Sequence, residues 1–212
     1  MTSPHDSFDD EGLFDKYDPS PDDQFYQLPR KVVHIDDGAI HAVTQLYREL
    51  LPPYGAILDL MSSWRSHLPS DVGYGRVAGL GMNAEEMGDN TQLSDFVVHD
   101  LNARPVLPYD SRSFDAACCC VSVQYLQRPF DVFAEVRRVL QVDAPFIVAF
   151  SNRCFPSKAV NVWHQTDDAG HAQIVSQYFE LSGGWRDITA QDRSPKRGDP
   201  LFAVWAYRAG RD

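Results

Sequence analysis

The sequence predicts an α/β fold: a doubly wound, mainly parallel sheet with helices on both faces, closed by an antiparallel C-terminal hairpin. Three observations carry that prediction. Five short apolar runs, at 56–61, 76–82, 96–101, 115–121 and 145–151, alternate with helix-compatible segments, as buried parallel strands and their crossovers do. Pro129 opens a segment in which Phe130, Phe133, Val136 and Leu140 recur at helical spacing, which makes it the crossover into the fifth strand. Finally, 185–190 and 201–208 read as strands joined by a polar, Pro-containing connection with no helix between them, so antiparallel pairing is expected.

The remaining elements follow in chain order. Residues 1–24 are rich in Asp, Ser and Pro and show no period, which predicts an acidic leader that is disordered or loosely docked. One domain is expected over 25–212, beginning with a lid segment at 25–52. Within that segment Asp36 or Asp37 caps a helix carrying Ile40, Val43, Leu46, Tyr47 and Leu50 on one face, and Pro52 and Pro53 stop it. A further helix is expected at about 167–181, and no internal repeat is visible.

Charge and cysteine content narrow the function classes. The chain has 212 residues and a net charge of −11, and eight of its acidic side chains against one lysine lie within the first 23 residues. That asymmetry argues against a general nucleic-acid surface or an anionic-membrane surface, both of which favour a basic face, and leaves a local RNA site open. No apolar run approaches the roughly 18 residues of a spanning helix, and the N-terminus lacks the plan of a secretory signal, so a cytoplasmic location is expected. Cys118, Cys119 and Cys120 are adjacent in an apolar run; on a strand they point alternately to opposite faces, which suits buried small hydrophobes rather than a shared metal or a disulfide.

Several stretches resemble the class I S-adenosylmethionine-dependent methyltransferases, in particular the small-molecule type. "ILDL" (57–60) is similar to the family's first strand and "VAGLGMNAEEM" (77–87) to its second strand and the start of the following helix. The stretch from "VVHDLNARPVLPYD" through "SFDAACCCVSVQYLQRPF" to "RRVL" (97–140) resembles the third and fourth strands with their turn and crossover helix. More narrowly, "FYQLPRKVVHIDD", "DLMSSWRSHLP" and "FSNRCFPSKAV" resemble a subgroup of such proteins from bacteria and plants in which the loop after the first strand lacks glycine. The resemblance implies a Rossmann-like methyltransferase fold, S-adenosylmethionine as cofactor and a small-molecule acceptor as partner. It leaves the oligomeric state unknown and assigns no metal.

The departures from the family pattern fall at the cofactor end. Asp59 stands where the family's acidic residue stands, but Met61, Ser63 and Arg65 occupy the glycine positions that follow. A helix terminus after the first strand, with Ser62 and Ser63 hydroxyls, is expected to receive the cofactor's carboxylate, with capping as the alternative role for the two serines. Gly81 replaces the usual ribose-binding acid, while Met82 follows it and Asn83 offers an amide oxygen or caps the next helix. The resemblance places Asp100 and Leu101 against the adenine, with a carboxylate capping its own turn as the alternative role for Asp100; Val121 and Ser122 beneath the methionine moiety; and Arg30 of the lid among the cofactor contacts. Tyr26, Asn152 and Arg153 are candidates for the acceptor, and His34 or Tyr125 for a base where the nucleophile arrives protonated.

Three other readings compete. Ser63 and His67 stand four residues apart, with Asp59 nearby, as a hydrolase would need, but Ser62 and Trp64 are not the small neighbours of a nucleophile elbow. His34, Asp36, Asp37 and His41 have ligand chemistry for a metal and equally serve as solvated capping residues. A catalytically inactive methyltransferase-fold binding protein accounts for the same departures.

Overall fold

The computed structural model describes residues 12–210. A four-residue helix α1 (Asp22–Phe25) precedes α2 (Asp37–Leu50), followed by β1 (Ala56–Leu60), β2 (Arg76–Gly81), α3 (Ala84–Gly88), β3 (Asp95–Val98) and β4 (Ala116–Cys120). A 3₁₀ turn at 123–125 leads into α4 (Pro129–Val139), β5 (Pro145–Phe150), α5 (Asn161–His164), α6 (Asp168–Ser182), β6 (Trp185–Asp192) and β7 (Phe202–Arg208). The seven strands lie in the order β3-β2-β1-β4-β5-β7-β6. The first five are parallel, while β7 runs antiparallel to both β5 and β6, as the sequence predicts.

Alternation along the strands builds two cores, one on each face of the sheet. Leu58, Ala117, Cys119, Phe146 and Val148 face α4 and α6 through Phe133, Val136, Val175 and Phe179. Their neighbours Ile57, Ala116, Cys118 and Ile147 face α2 through Val43, Leu46 and Tyr47. Adjacent cysteines therefore enter opposite cores, and all four cysteines are free. Asp36 caps α2 by accepting from Ala39 N at 3.0 Å. Among the described residues no helix is long and apolar enough to cross a membrane.

Two expectations are corrected. The connections β1–β2 and β3–β4 contain no helix. After β1, Met61 and His67 both have φ of 56°, which interrupts any helical run, and Pro69 disfavours helix at the residue before it. The leader is also not loose where it is described. Phe14 is buried against Phe130 at 5.9 Å between ring centroids, and Lys16 bridges to Val160. The part of the leader at 1–11 lies outside the described residues.

A buried charge cluster fastens this segment. Lys158, fully buried, pairs with Asp18 at 3.1 Å and Asp22 at 3.4 Å, and Asp22 also binds Lys16 at 2.6 Å. Removing the shared carboxylate leaves Lys16 without its partner in a dry site and Lys158 with Asp18 as its one remaining carboxylate, which is costlier than losing a surface pair. Asp22→Ala is expected to lower the unfolding free energy by about 3 kcal/mol in urea denaturation. An unchanged midpoint would mean that the leader contributes little to the fold.

Candidate functional site

The strand order reverses between β1 and β4, and in such sheets the crevice beyond the strand C-termini collects ligands. A cleft enclosing about 1200 Å³, its open mouth included, lies there. The structure brings to it Asp59, Met61, Ser62, Ser63, Gly81, Met82, Asn83, Asp100, Leu101, Val121, Ser122 and Tyr125 from the sheet, and Tyr26, Arg30 and His34 from the lid. Asn152 and Arg153 are not among its walls: both are exposed, and Arg153 is paired with Asp199 at 2.8 Å.

The glycine-free loop is held by side chains. Asp59, 4% exposed, accepts from Ser62 Oγ at 2.5 Å and Ser66 Oγ at 2.6 Å, with Cys118 Sγ at 3.7 Å. Asn90 Nδ2 donates to Ser66 Oγ at 2.8 Å and to Ser63 O at 2.9 Å. Ser62 N donates to Leu80 O at 2.8 Å, which lays the loop directly over the end of β2. Gly81 is required there, since a Cβ would sit 2.1 Å from Ser62 O. Ser62 gives its one hydroxyl proton to Asp59, and Ser63 gives its own to Glu86 at 2.5 Å. With no helix present, Ser63 and His67 share no helical face either, and no hydrogen bond joins them among the described residues.

Glu86 is the residue that sequence reasoning missed. Asn83 caps α3 by accepting from Glu86 N at 3.0 Å, and its Nδ2 donates to Tyr26 O at 2.9 Å. The Asn-x-x-Glu spacing was a visible signal, because it is that of a capping box. The glutamate does not turn back to its own helix. It reaches across the cleft, accepting from Arg30 N at 2.7 Å and Ser63 Oγ at 2.5 Å, so a carboxylate stands near the end of β2 although the strand itself ends in glycine. Asp100 uses Oδ1 for an Asx turn, accepting from Asn102 N at 2.8 Å and Ala103 N at 3.1 Å; no described residue donates to its Oδ2.

Burial sets the titration of the site. It pushes the Asp59 carboxyl up to about 6, against the lowering effect of the Ser62, Ser66 and Cys118 hydrogen bonds. Burial lowers His34, and burial with Arg65 takes His67 down to about 4, so both rings are neutral at neutral pH. Tyr125 is held well above the usual phenol range by burial, and its hydroxyl accepts from Phe155 N at 2.8 Å. The Tyr125 hydroxyl thus holds the backbone of Phe155, and the neutral His34 ring lines the cleft beside it.

The raised Asp59 value has a signed consequence. Between pH 4 and 6 the folded chain holds a proton that the unfolded chain has released, so this group's contribution to stability falls as pH rises through that window. The change amounts to about 3 kcal/mol. Asp59→Asn keeps an acceptor for the serines but does not titrate; its stability should be flatter than wild type between pH 4 and 6 by that amount in urea titrations.

The fold, with its switch-point cleft, is the Rossmann-like architecture that class I methyltransferases share. The methyltransferase-domain family matches residues 70–148, from the approach to β2 through most of β5. A chain from the complex between the Haloferax volcanii Trm112 methyltransferase activator and the putative methyltransferase superposes with a TM-score of 0.65 at 14% identity, covering 99% of both chains. The [4+2]-cyclase SpnF gives 0.61 at 15% identity over 89% of this chain and 91% of its own. A putative S-adenosylmethionine-dependent methyltransferase from Listeria monocytogenes gives 0.57 at 10% identity over 80% and 99%. Among proteins of curated function, none matches this sequence.

Proposed function

We propose that the protein transfers a methyl group from S-adenosylmethionine to a small-molecule acceptor within this cleft. The observation that carries the reading is the acceptor set: Glu86 and Asp100 present carboxylate oxygens with unused lone pairs at the ends of β2 and β3. Such oxygens suit ribose hydroxyls and an adenine amino group. Met82, Leu101 and Leu126 supply apolar wall between them. Arg65, on the loop after β1 and stacked 4.5 Å from the Trp64 ring, is the cation available there for a carboxylate. These residues fit the cofactor without any glycine in the loop.

When bound, the cofactor supplies a methyl group on a cationic sulfur, for in-line displacement. The chain supplies enclosure and proton handling. The lid is pinned by Asn83 to Tyr26 O, by Glu86 to Arg30 N, by Lys31 to Glu85 and Asp89, and by Trp64 Nε1 to Val32 O at 2.9 Å. A roof of this kind suits a small acceptor and reduces the access of water. Neutral His34 accepts the proton where the nucleophile carries one.

A thermal-shift series with S-adenosylmethionine and S-adenosylhomocysteine tests the reading. The melting temperature should climb with either ligand, reaching a stabilisation of about 2.7 kcal/mol at a hundredfold excess over Kd. A flat response up to millimolar concentrations overturns it and favours the inactive binding protein.

A further inference from the structure

The lid carries a cation without a counter-ion. Arg30 has its backbone N fixed by Glu86, but among the described residues its guanidinium makes no ion pair and no hydrogen bond. It rests 4.0 Å from the Phe25 ring centroid, 5.4 Å from that of Phe155 and 5.9 Å from that of Tyr26. Its neighbour Lys31 is neutralised twice, by Glu85 at 2.8 Å and Asp89 at 2.6 Å. A guanidinium offers five donors, and stacking on the rings holds it in place while using none of them, so they stay available to an anion.

The surroundings say which side of the cleft that anion occupies. Phe155 follows β5, and it gathers Phe25 at 5.4 Å, His34 at 4.9 Å and Tyr125 at 6.2 Å between centroids. This aromatic wall stands toward β4 and β5, whereas the carboxylates suited to the nucleoside stand at β2 and β3. Asp59, Glu86 and Asp100 also line the cleft with no ion pair to a described cation, so a single negative charge is tolerated better than a double one.

We infer that Arg30 recognises the acceptor, and that the acceptor is a small monocarboxylate with a flat apolar body held against Phe155 and Tyr125. This assignment rests on the methyltransferase reading, and it moves Arg30 from the cofactor, where the sequence placed it, to the acceptor. The guanidinium fork holds the carboxylate, and the rings hold the body.

Benzoate serves as the probe, titrated calorimetrically into the full chain with and without saturating S-adenosylhomocysteine. Benzamide and phenyl phosphate are the neutral and dianionic controls. Benzoate should bind more tightly than either control, and Arg30→Met should weaken it tenfold or more, with Arg30→Lys retaining part of the affinity. S-adenosylhomocysteine binding to Arg30→Met should stay within about twofold of wild type. The melting temperatures of both variants check that they fold. Loss of S-adenosylhomocysteine binding with benzoate unaffected would assign Arg30 to the cofactor and overturn the inference, as would benzoate and benzamide binding equally. Failure of wild type to bind S-adenosylhomocysteine strikes the methyltransferase reading instead, and the benzoate arm without it still reads the anion site.

Discussion

Gly81→Ala is expected to dislodge the loop between β1 and β2, lowering stability by about 3 kcal/mol or more and removing S-adenosylhomocysteine binding. The added methyl group would stand 2.1 Å from Ser62 O and 3.1 Å from Met87 Sδ. The first of these is main chain, and its position is fixed by Ser62 N on Leu80 O and Ser62 Oγ on Asp59. No rotamer change relieves it, so the loop must move and take the cleft wall with it. Gly79→Ala is the informative comparison. There the nearest atom, at 2.6 Å, is Leu93 Cδ1, the far end of a side chain that can turn aside. Urea midpoints for the two variants, with calorimetric titration of each, should rank Gly81→Ala well below Gly79→Ala; equal midpoints would show that the loop is not seated as described.

Asp59→Ala should be nearly as damaging, and for a different reason. The carboxylate is the acceptor for two buried hydroxyls and lies against a buried thiol, so truncation orphans Ser62 Oγ and opens a void beside Cys118. Each buried polar group left unpaired costs about 1–3 kcal/mol, giving an expected loss of about 3 kcal/mol. Ser66 keeps Asn90 as a partner, which moderates the loss. Asp59→Asn should cost far less at neutral pH, because one amide oxygen can take both hydroxyl protons. If the alanine and asparagine variants unfold at the same urea concentration, hydrogen bonding is not what shapes this loop.

What was legible in the sequence was whatever one element encodes by itself. The strands appear as short apolar runs because both faces of a parallel sheet are covered, and α2 announces itself through Asp36 and the prolines at 52 and 53. The position of the cleft follows from the strand order, so the residues at strand ends were found together. The failures are all long-range. Ser62 and Ser63 look like helix-capping residues until Asp59 and Glu86 are seen taking their protons, and Glu86 looks like half of a capping box until Arg30 arrives from 56 residues away. The leader looks unstructured by composition, yet Asp18 and Asp22 answer the buried Lys158 from more than 130 residues distant. Arg153 sits at a strand end, as a ligand residue would, and was drawn instead to Asp199 in the β6–β7 connection.

The central claim is that side-chain hydrogen bonds hold a glycine-free loop open around a sulfonium nucleotide. A crystal structure of the chain with S-adenosylhomocysteine tests it most directly. The account predicts the ribose hydroxyls on Glu86, the adenine amino group on Asp100, and Asp59 still joined to Ser62 and Ser66. Nucleotide bound elsewhere, or bound only after the Asp59 contacts break and the loop refolds, would contradict it.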